Sequence, residues 1–375
     1  MPSLDVIRAA VSELPNGPPL VAAVPGGTTG IGSYIAKALA TMFAPDGPKL
    51  RVYIVGRNAT RANTVIEECQ KLSPGSEWRF VKAADLALIS EVDRCCDEII
   101  RQETEKPFHD GPVRLDLLYM THSYPILKKR SSEYLHHRET TGPQLCETDW
   151  CGIATKEGLD AFISTTYYSR VRFIMQLLPL LTASHLPGHV VSVYAGTFED
   201  GTSPGELPIG CPPDSSYGVG SVRKHTTFMK TFLFEELAAR YAGHLSLTHI
   251  YPGLVDGPGF SSPDMPRWFR VLWPLLKPLT RLYMTSPDVC GQVMLYLATS
   301  HFPAKTQKPG EGAQVTRSTS GEPGGGSYGV GQRGDPQKGV SYAKVRRDAT
   351  SKEVWDHTMQ TLGKIETANR TDSAR

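Results

Sequence analysis

From residue 21 onward, short apolar, β-branched runs alternate with stretches whose apolar positions recur at helical spacing. Leu50 to Val55 reads as a strand, and Ala59 to Leu72 as a helix with Ala62, Val65, Ile66 and Cys69 on one face. Trp78 to Ala83 is a third strand after Val21–Val24 and Leu50–Val55, and Ile89 to Glu105 has helical spacing at Val92, Cys95, Cys96, Ile99 and Ile100. Leu115 to Met120, His189 to Tyr194 and Leu245 to Ile250 complete a set of six strands. Between them the spacing predicts long helices from about Lys156 to Leu181 and from Tyr217 to Tyr241, and a shorter one from Pro287 to Thr299. Residues 124–150 read as a loop insertion, 196–216 as a loop, and 301–340, dense in Gly, Pro, Gln and Ser, as irregular. Lys352 to Leu362 has the spacing of a last helix before a polar, frayed tail.

Alternation of this kind implies an α/β fold, a doubly wound parallel sheet in a three-layer α/β/α sandwich. The pattern divides the chain into one domain, 1–300, and an irregular C-terminal extension, 301–375, with a short helix and a frayed end. No internal repeat is visible.

Charge changes the picture little: 40 basic and 38 acidic residues in 375 leave a formal +2, with no single-sign block, which argues against nucleic acid as a partner. The seven cysteines are scattered and odd in number, as expected of reduced thiols rather than a disulfide framework. Cys146 and Cys151 lie close, but without a second Cys/His pair they point to no metal site. Asp5, Arg8 and Glu13 interrupt the N-terminal apolar residues, so no signal-peptide core is read there, and no run is long enough for a transmembrane segment. The expected location is cytoplasmic. The stretch Trp268 to Tyr283 is apolar but broken by prolines and cations; it reads as a lid over a pocket in preference to a patch resting on a membrane.

The strongest chemical signal is Val21-Ala-Ala-Val-Pro-Gly-Gly-Thr-Thr-Gly-Ile-Gly-Ser33, a strand, a glycine loop and a helix start. Glycines remove the Cβ atoms that would block a phosphate, and the free N–H groups of a helix start point at it. Three residues separate Gly26 from Gly30 and one separates Gly30 from Gly32. With this spacing the chain resembles the short-chain dehydrogenase/reductase family over roughly residues 18 to 300. The resemblance implies a Rossmann-like fold and a nicotinamide cofactor held by Gly26, Thr28, Thr29, Gly30, Ile31 and Gly32. It places further contacts at Arg57 and Asn58 after the second strand, Asp85 and Leu86 after the third, and Pro252, Gly253 and Val255 after the sixth. An acidic residue ending the second strand would accept from a free ribose 2′-OH, whereas Arg57 suits a 2′-phosphate, so the expected cofactor is NADP(H).

More narrowly the chain resembles divergent reductases of fungal natural-product pathways, through Tyr167-Tyr-Ser-Arg170, Val190-Val-Ser-Val193, His225-Thr-Thr-Phe-Met229, Phe234-Glu-Glu-Leu-Ala238 and Val354-Trp-Asp-His-Thr358. The family's catalytic Ser, Asn, Tyr and Lys do not read cleanly. Ala195 takes the serine position, Thr166 the asparagine position, and Met120-Thr-His-Ser123 replaces Asn-Asn-Ala-Gly. Tyr217 opens the expected helix, and spacings of four and seven place Ser221 and Lys224 on its face. Counting back from Glu236 instead puts Arg223 at the lysine position and Val219 at the tyrosine's. Both registers stay open; Tyr217, Ser221 and Lys224 are the catalytic candidates, with Tyr167, Tyr168 and His225 in reserve.

These readings converge on an NADPH-dependent reductase or dehydrogenase for a ketone or alcohol of an apolar small molecule, in secondary metabolite biosynthesis. Trp268, Phe269, Trp273 and Tyr283 supply an apolar wall. The incomplete catalytic set keeps open a non-redox cyclase or isomerase on the same fold, or a cofactor-binding scaffold. The resemblance also implies a homodimer or homotetramer formed through the two long helices.

Overall fold

The computed structural model describes residues 2–109, 111–123, 154–193, 202–203, 205–258, 267–280, 283–307, 314–337 and 341–373. Strands β1 (Leu20–Pro25), β2 (Leu50–Gly56), β3 (Glu77–Lys82), β4 (Leu117–Met120), β5 (Gly188–Val193), β6 (Leu245–Ile250) and β7 (Ser327–Val330) form one parallel sheet in the order β3-β2-β1-β4-β5-β6-β7. Registers such as Leu20 opposite Leu50, Met120 opposite Ser192 and Ile250 opposite Val330 fix it. Strands β1, β2, β4, β5 and β6 are buried throughout; β1 and β4 run apolar, while the other three bury polar side chains as well, Arg51 in β2, His189 and Ser192 in β5, and Ser246, Thr248 and His249 in β6.

Helices cover both faces. On one lie α1 (Leu4–Ser12), α2 (Gly30–Met42) and α3 (Ala59–Leu72). On the other lie α4 (Ile89–Glu105), the single turn α5 (Ala161–Ile163), α6 (Ser169–Thr182) and α7 (Val219–Arg240). An amphipathic helix α8 (Arg267–Thr280) precedes α9 (Pro287–Tyr296), which packs on α2; the last helix, α10 (Thr350–Ser373), packs on α7 and α4. Two apolar clusters, one per face, form the core.

Three elements depart from the reading of the sequence. The sheet has a seventh strand inside the stretch read as irregular, so it does not end before residue 301. Ser327-Tyr-Gly-Val330 sits among glycines and serines that mask its one large apolar side chain, Tyr328, which is fully buried. The last helix is 24 residues long, well beyond Leu362. It continues because Val354, Thr358, Leu362 and Ile365 keep a buried stripe facing α7 and α4, reinforced by Tyr167 Oη sharing a hydrogen bond with Thr358 Oγ1 at 2.7 Å and by Arg240 over the Trp355 ring at 4.0 Å. The expected helix from Lys156 begins only at Ala161, capped by Asp160, whose Oδ1 accepts the Ile163 N–H at 2.8 Å, and it contains a π segment at Ser164–Tyr168.

Under the sheet edge, Arg51 of β2 is 1% exposed and spans Glu103 at 2.9 Å and Glu77 at 2.8 Å. The Tyr53 hydroxyl donates to the same Glu103 carboxylate at 2.6 Å, so the buried charge is matched and its lone pairs are used. Burial raises the Glu77 carboxyl, but the hydrogen bond and charge of Arg51 outweigh it and hold it below the usual range. Glu103→Ala removes one of the two carboxylates on this guanidinium and leaves it Glu77, and the expected loss is about 1–3 kcal/mol in urea unfolding. A loss below about 1 kcal/mol would show that the pair contributes no net stability.

Candidate functional site

Strand order reverses beside β1, and the glycine loop follows β1 at that switch point. The Gly26 N–H donates to Val55 O at 2.9 Å, tying the loop to β2. A Cβ on Gly32 would lie 2.4 Å from Gly26 O and 2.6 Å from Thr121 Oγ1, and one on Gly26, whose φ is 87°, would lie 2.5 Å from His122 N. The loop is thus pressed against the end of β4. Gly30 has φ 55° and nothing within 4 Å of its Cβ position. Thr29 stands at the helix N-cap in extended backbone without capping through its side chain, leaving the first-turn N–H groups of α2 for a ligand. An open cleft of about 340 Å³ begins there, lined by Thr28, Thr29, Gly30, Lys37, Arg61 and Pro258.

The other expected cofactor residues lie at the same carboxyl edge of the sheet. Arg57 follows β2 and is exposed; Asn58 caps α3, its Oδ1 accepting the Arg61 N–H at 2.9 Å. Thr28 covers Gly56, where a Cβ would lie 2.5 Å from Thr28 Cγ2. Asp85 is exposed after β3 and its Oδ1 accepts the Ala87 N–H at 2.9 Å, while Leu86 is buried. Pro252, Gly253 and Val255 follow β6; Gly253 has φ 71°, the Gln332 side chain occupies its Cβ direction, and Val255 bridges to Thr285. Arg61, on the cleft wall one turn into α3, was not anticipated. Its signal was present in the chain, since the cap Asn58 directly follows Arg57 and three more residues bring Arg61 to the same end of the helix.

The catalytic candidates are not brought together. The helix begins at Val219 with Gly218 as N-cap, so Tyr217 precedes it and does not share the helical face assumed for it. Its hydroxyl donates to Asp160 Oδ2 at 2.9 Å, and with Val222 it occupies the two positions of a hydrophobic staple, both within one apolar cluster. Ser221 Oγ accepts the Gly218 N–H at 2.9 Å and donates to Ser216 O at 2.6 Å, closing the helix start. Lys224 Nζ donates to both Glu206 oxygens at 2.7 Å. Arg223 lies over the Tyr251 ring, 5.9 Å from its centroid, immediately before Pro252. Tyr167 and Tyr168 point to α10, at Thr358 and His357, and His225 shares a hydrogen bond with Gly210 O at 3.0 Å. Ala195 and Tyr194 lie outside the described residues, as do Cys146 and Cys151.

A polar cluster behind the ends of β4 and β5 went unread in the sequence. Arg170, 1% exposed, donates to Ser192 Oγ at 2.8 Å, Val193 O at 3.0 Å, His122 O at 2.6 Å and Thr165 O at 3.4 Å. His122 shares a hydrogen bond with Ser169 Oγ at 3.1 Å, and Thr231 Oγ1 with His249 at 3.2 Å. Burial, then the charge of Arg170, holds the Lys230 amine well below the lysine range and the His122 imidazole well below the usual histidine value. His249 is pushed down to about 3 by burial and then by Lys230. Thr166, at the family's asparagine position, lies in the π segment and approaches Thr226 at 3.4 Å. One guanidinium thus braces two strand ends while the histidines around it stay neutral.

No family model matches the chain. It is 60% identical over 380 aligned residues, 99% of each chain, to the short-chain dehydrogenase/reductase SAT2 of Stachybotrys chartarum. It is 31% identical over 374 residues, 96% of this chain and 97% of the other, to the oxidoreductase andH of Emericella variicolor. Among solved structures, the L-sorbose reductase of Gluconobacter frateurii complexed with NADPH and L-sorbose superposes with a TM-score of 0.52 at 15% identity, over 86% of this chain and 97% of the other, a likeness of fold. The full-length identity, together with the glycine loop seated at the switch point of the sheet, makes this chain a member of the short-chain dehydrogenase/reductase family.

Proposed function

We propose that the protein is an NADP(H)-dependent oxidoreductase that interconverts a ketone and an alcohol on an apolar small molecule in secondary metabolism. The observation that carries this reading is the open first turn of α2 facing a cleft with Arg61 on its wall and Arg57 beside it. A pyrophosphate fits against the N–H groups at Thr29 to Gly32, and the two guanidiniums suit the 2′-phosphate. Asp85 and Leu86 would hold the adenine side of the cofactor, and Pro252, Gly253 and Val255 the nicotinamide side. NADPH, when bound, supplies a hydride. Tyr217 gives a proton to the carbonyl oxygen as it becomes an alcohol; Asp160, the present acceptor of that hydroxyl, orients it until substrate arrives. Ser221 and Lys224 hold the helix start and the loop at Glu206 so that Tyr217 keeps its place.

Arg57→Ala and Arg61→Ala should each weaken NADPH about tenfold and leave NADH nearly unchanged in fluorescence titrations, because only the phosphorylated ribose meets them. Equal weakening of both nucleotides would remove the phosphate contact. Gly32→Ala puts a methyl group 2.4 Å from Gly26 O and should cost about 1–3 kcal/mol in urea unfolding along with nucleotide binding; an unchanged midpoint would contradict the close approach. Tyr217→Phe should lower ketone turnover by about 10²- to 10⁴-fold with NADPH affinity kept. Unchanged turnover would take the proton donor elsewhere, and NADPH binding without turnover of any ketone by the native chain would favour the cyclase or isomerase reading.

A further inference from the structure

Helix α8 turns its apolar stripe outward. Val271, Leu275 and Leu279, at i, i+4 and i+8, are 72%, 72% and 71% exposed, Leu272 beside them 43%, and Tyr283 just beyond the helix 80%. Only Trp273 among the described apolar side chains of the helix is buried, at 8%. Of the side chains read as a lid, those of Trp268 and Phe269 lie outside the described ones, and the exposed stripe is a separate face of the helix. An exposed contiguous stripe on a folded chain marks a docking surface.

Charge selects the occupant. From Met265 to Pro287 the chain carries Arg267, Arg270, Lys277 and Arg281 and no Asp or Glu. Two copies meeting along this stripe would bring like charges together. An anionic lipid surface complements it, and a Trp- and Leu-rich helix with cations and no acids has the composition of one that lies in the interfacial plane. Among the described residues, no helix is long and apolar enough to cross a membrane, so the contact would be peripheral.

The helix is also tied to the site. Lys277 pairs with Asp256 at 3.0 Å, the Thr285 N–H donates to Leu254 O at 2.8 Å, the Asp256 N–H donates to Thr285 O at 3.0 Å, and Tyr34 of α2 donates to Asp256 O at 2.9 Å. The stripe therefore hangs on the segment that follows β6, next to the glycine-loop cleft. We propose that α8 docks the protein on an anionic membrane surface, with its apolar stripe in the headgroup layer and the carboxyl edge of the sheet close to the bilayer, where apolar substrates collect. The docking does not depend on the redox reading and is tested without cofactor.

The full chain should cosediment with phosphatidylcholine vesicles that contain phosphatidylserine, far less with phosphatidylcholine alone, and less as salt is raised. V271E/L275E/L279E should lower the partition coefficient at least about tenfold while its thermal unfolding stays unchanged, the positions being exposed. If that variant does not fold, the neutral pair L275S/L279S reads the same loss in the same assay. Absence of partitioning by the folded native chain, or partitioning that these variants leave unchanged, overturns the proposal. So does a native dimer in sedimentation that the variants disperse, which would give the stripe to a second copy.

Discussion

Backbone contact at the switch point governs everything that follows it. Gly26 and Gly32 let the loop lie flat against Thr121 and His122, at separations that leave no room for a methyl group. Because the loop lies so low, α2 starts at Gly30 with its first turn directed into the cleft instead of into the sheet. The same helix then carries Ile35, Leu39 and Ala40 into the apolar cluster under β1 and β2, so seating the loop and packing the layer are one event. A displaced loop would cost both the anion site and the alignment of α2 with α9.

Arg170 plays the matching part behind the ends of β4 and β5. Its planar fork reaches His122 O after β4 and Ser192 and Val193 at the end of β5, while its Nε takes the Thr165 carbonyl in the π segment. A π turn leaves carbonyls off the regular ladder, and here one of them becomes an acceptor for the clamp. The electrostatic result reaches further than the bonds. Burial, and then the fixed positive charge of Arg170, disfavour protonation of both His122 and Lys230, which is why they shift in the same direction.

Much of the layer pattern could be read from residues alone, since short β-branched and apolar runs alternate with stretches of helical spacing along the chain. β1 and β4 are such apolar runs; β3 is only partly buried, and β6, Leu245-Ser-Leu-Thr-His-Ile250, is buried throughout although its polar positions alternate. Strand β7 could not be read in this way, because four residues with one large side chain carry too little periodicity to stand out from their glycines. At the glycine loop the chemistry is local, so spacing alone located the loop that the structure seats at the switch point. Tyr217, Ser221 and Lys224 depended on where a helix starts, and a two-residue shift of that start, set by the extended Gly218, took Tyr217 off the helical face. Arg170 was present in a quoted motif, yet its role is tertiary: its acceptors come from three separate segments.

The C-terminal helix adds a constraint on assembly that local pattern could not supply. Pairing of two copies through the helices beginning near Lys156 and Tyr217 requires their outer faces to be free. Here α10 lies on α7, takes the Tyr167 and Tyr168 hydroxyls, and is pinned by the Arg172–Asp93–Glu366 set, with Arg172 to Glu366 at 3.4 Å. Val354 and Ile365, fully buried, would return to water if it lifted. At roughly 1.5–3 kcal/mol for each large apolar side chain exposed, plus the lost hydroxyl bonds, displacement costs several kcal/mol before any partner contact is made. A partner that used this face would have to offset that cost with an interface larger than the helix it replaced, so assembly through the surfaces that α10 leaves open is the less costly route.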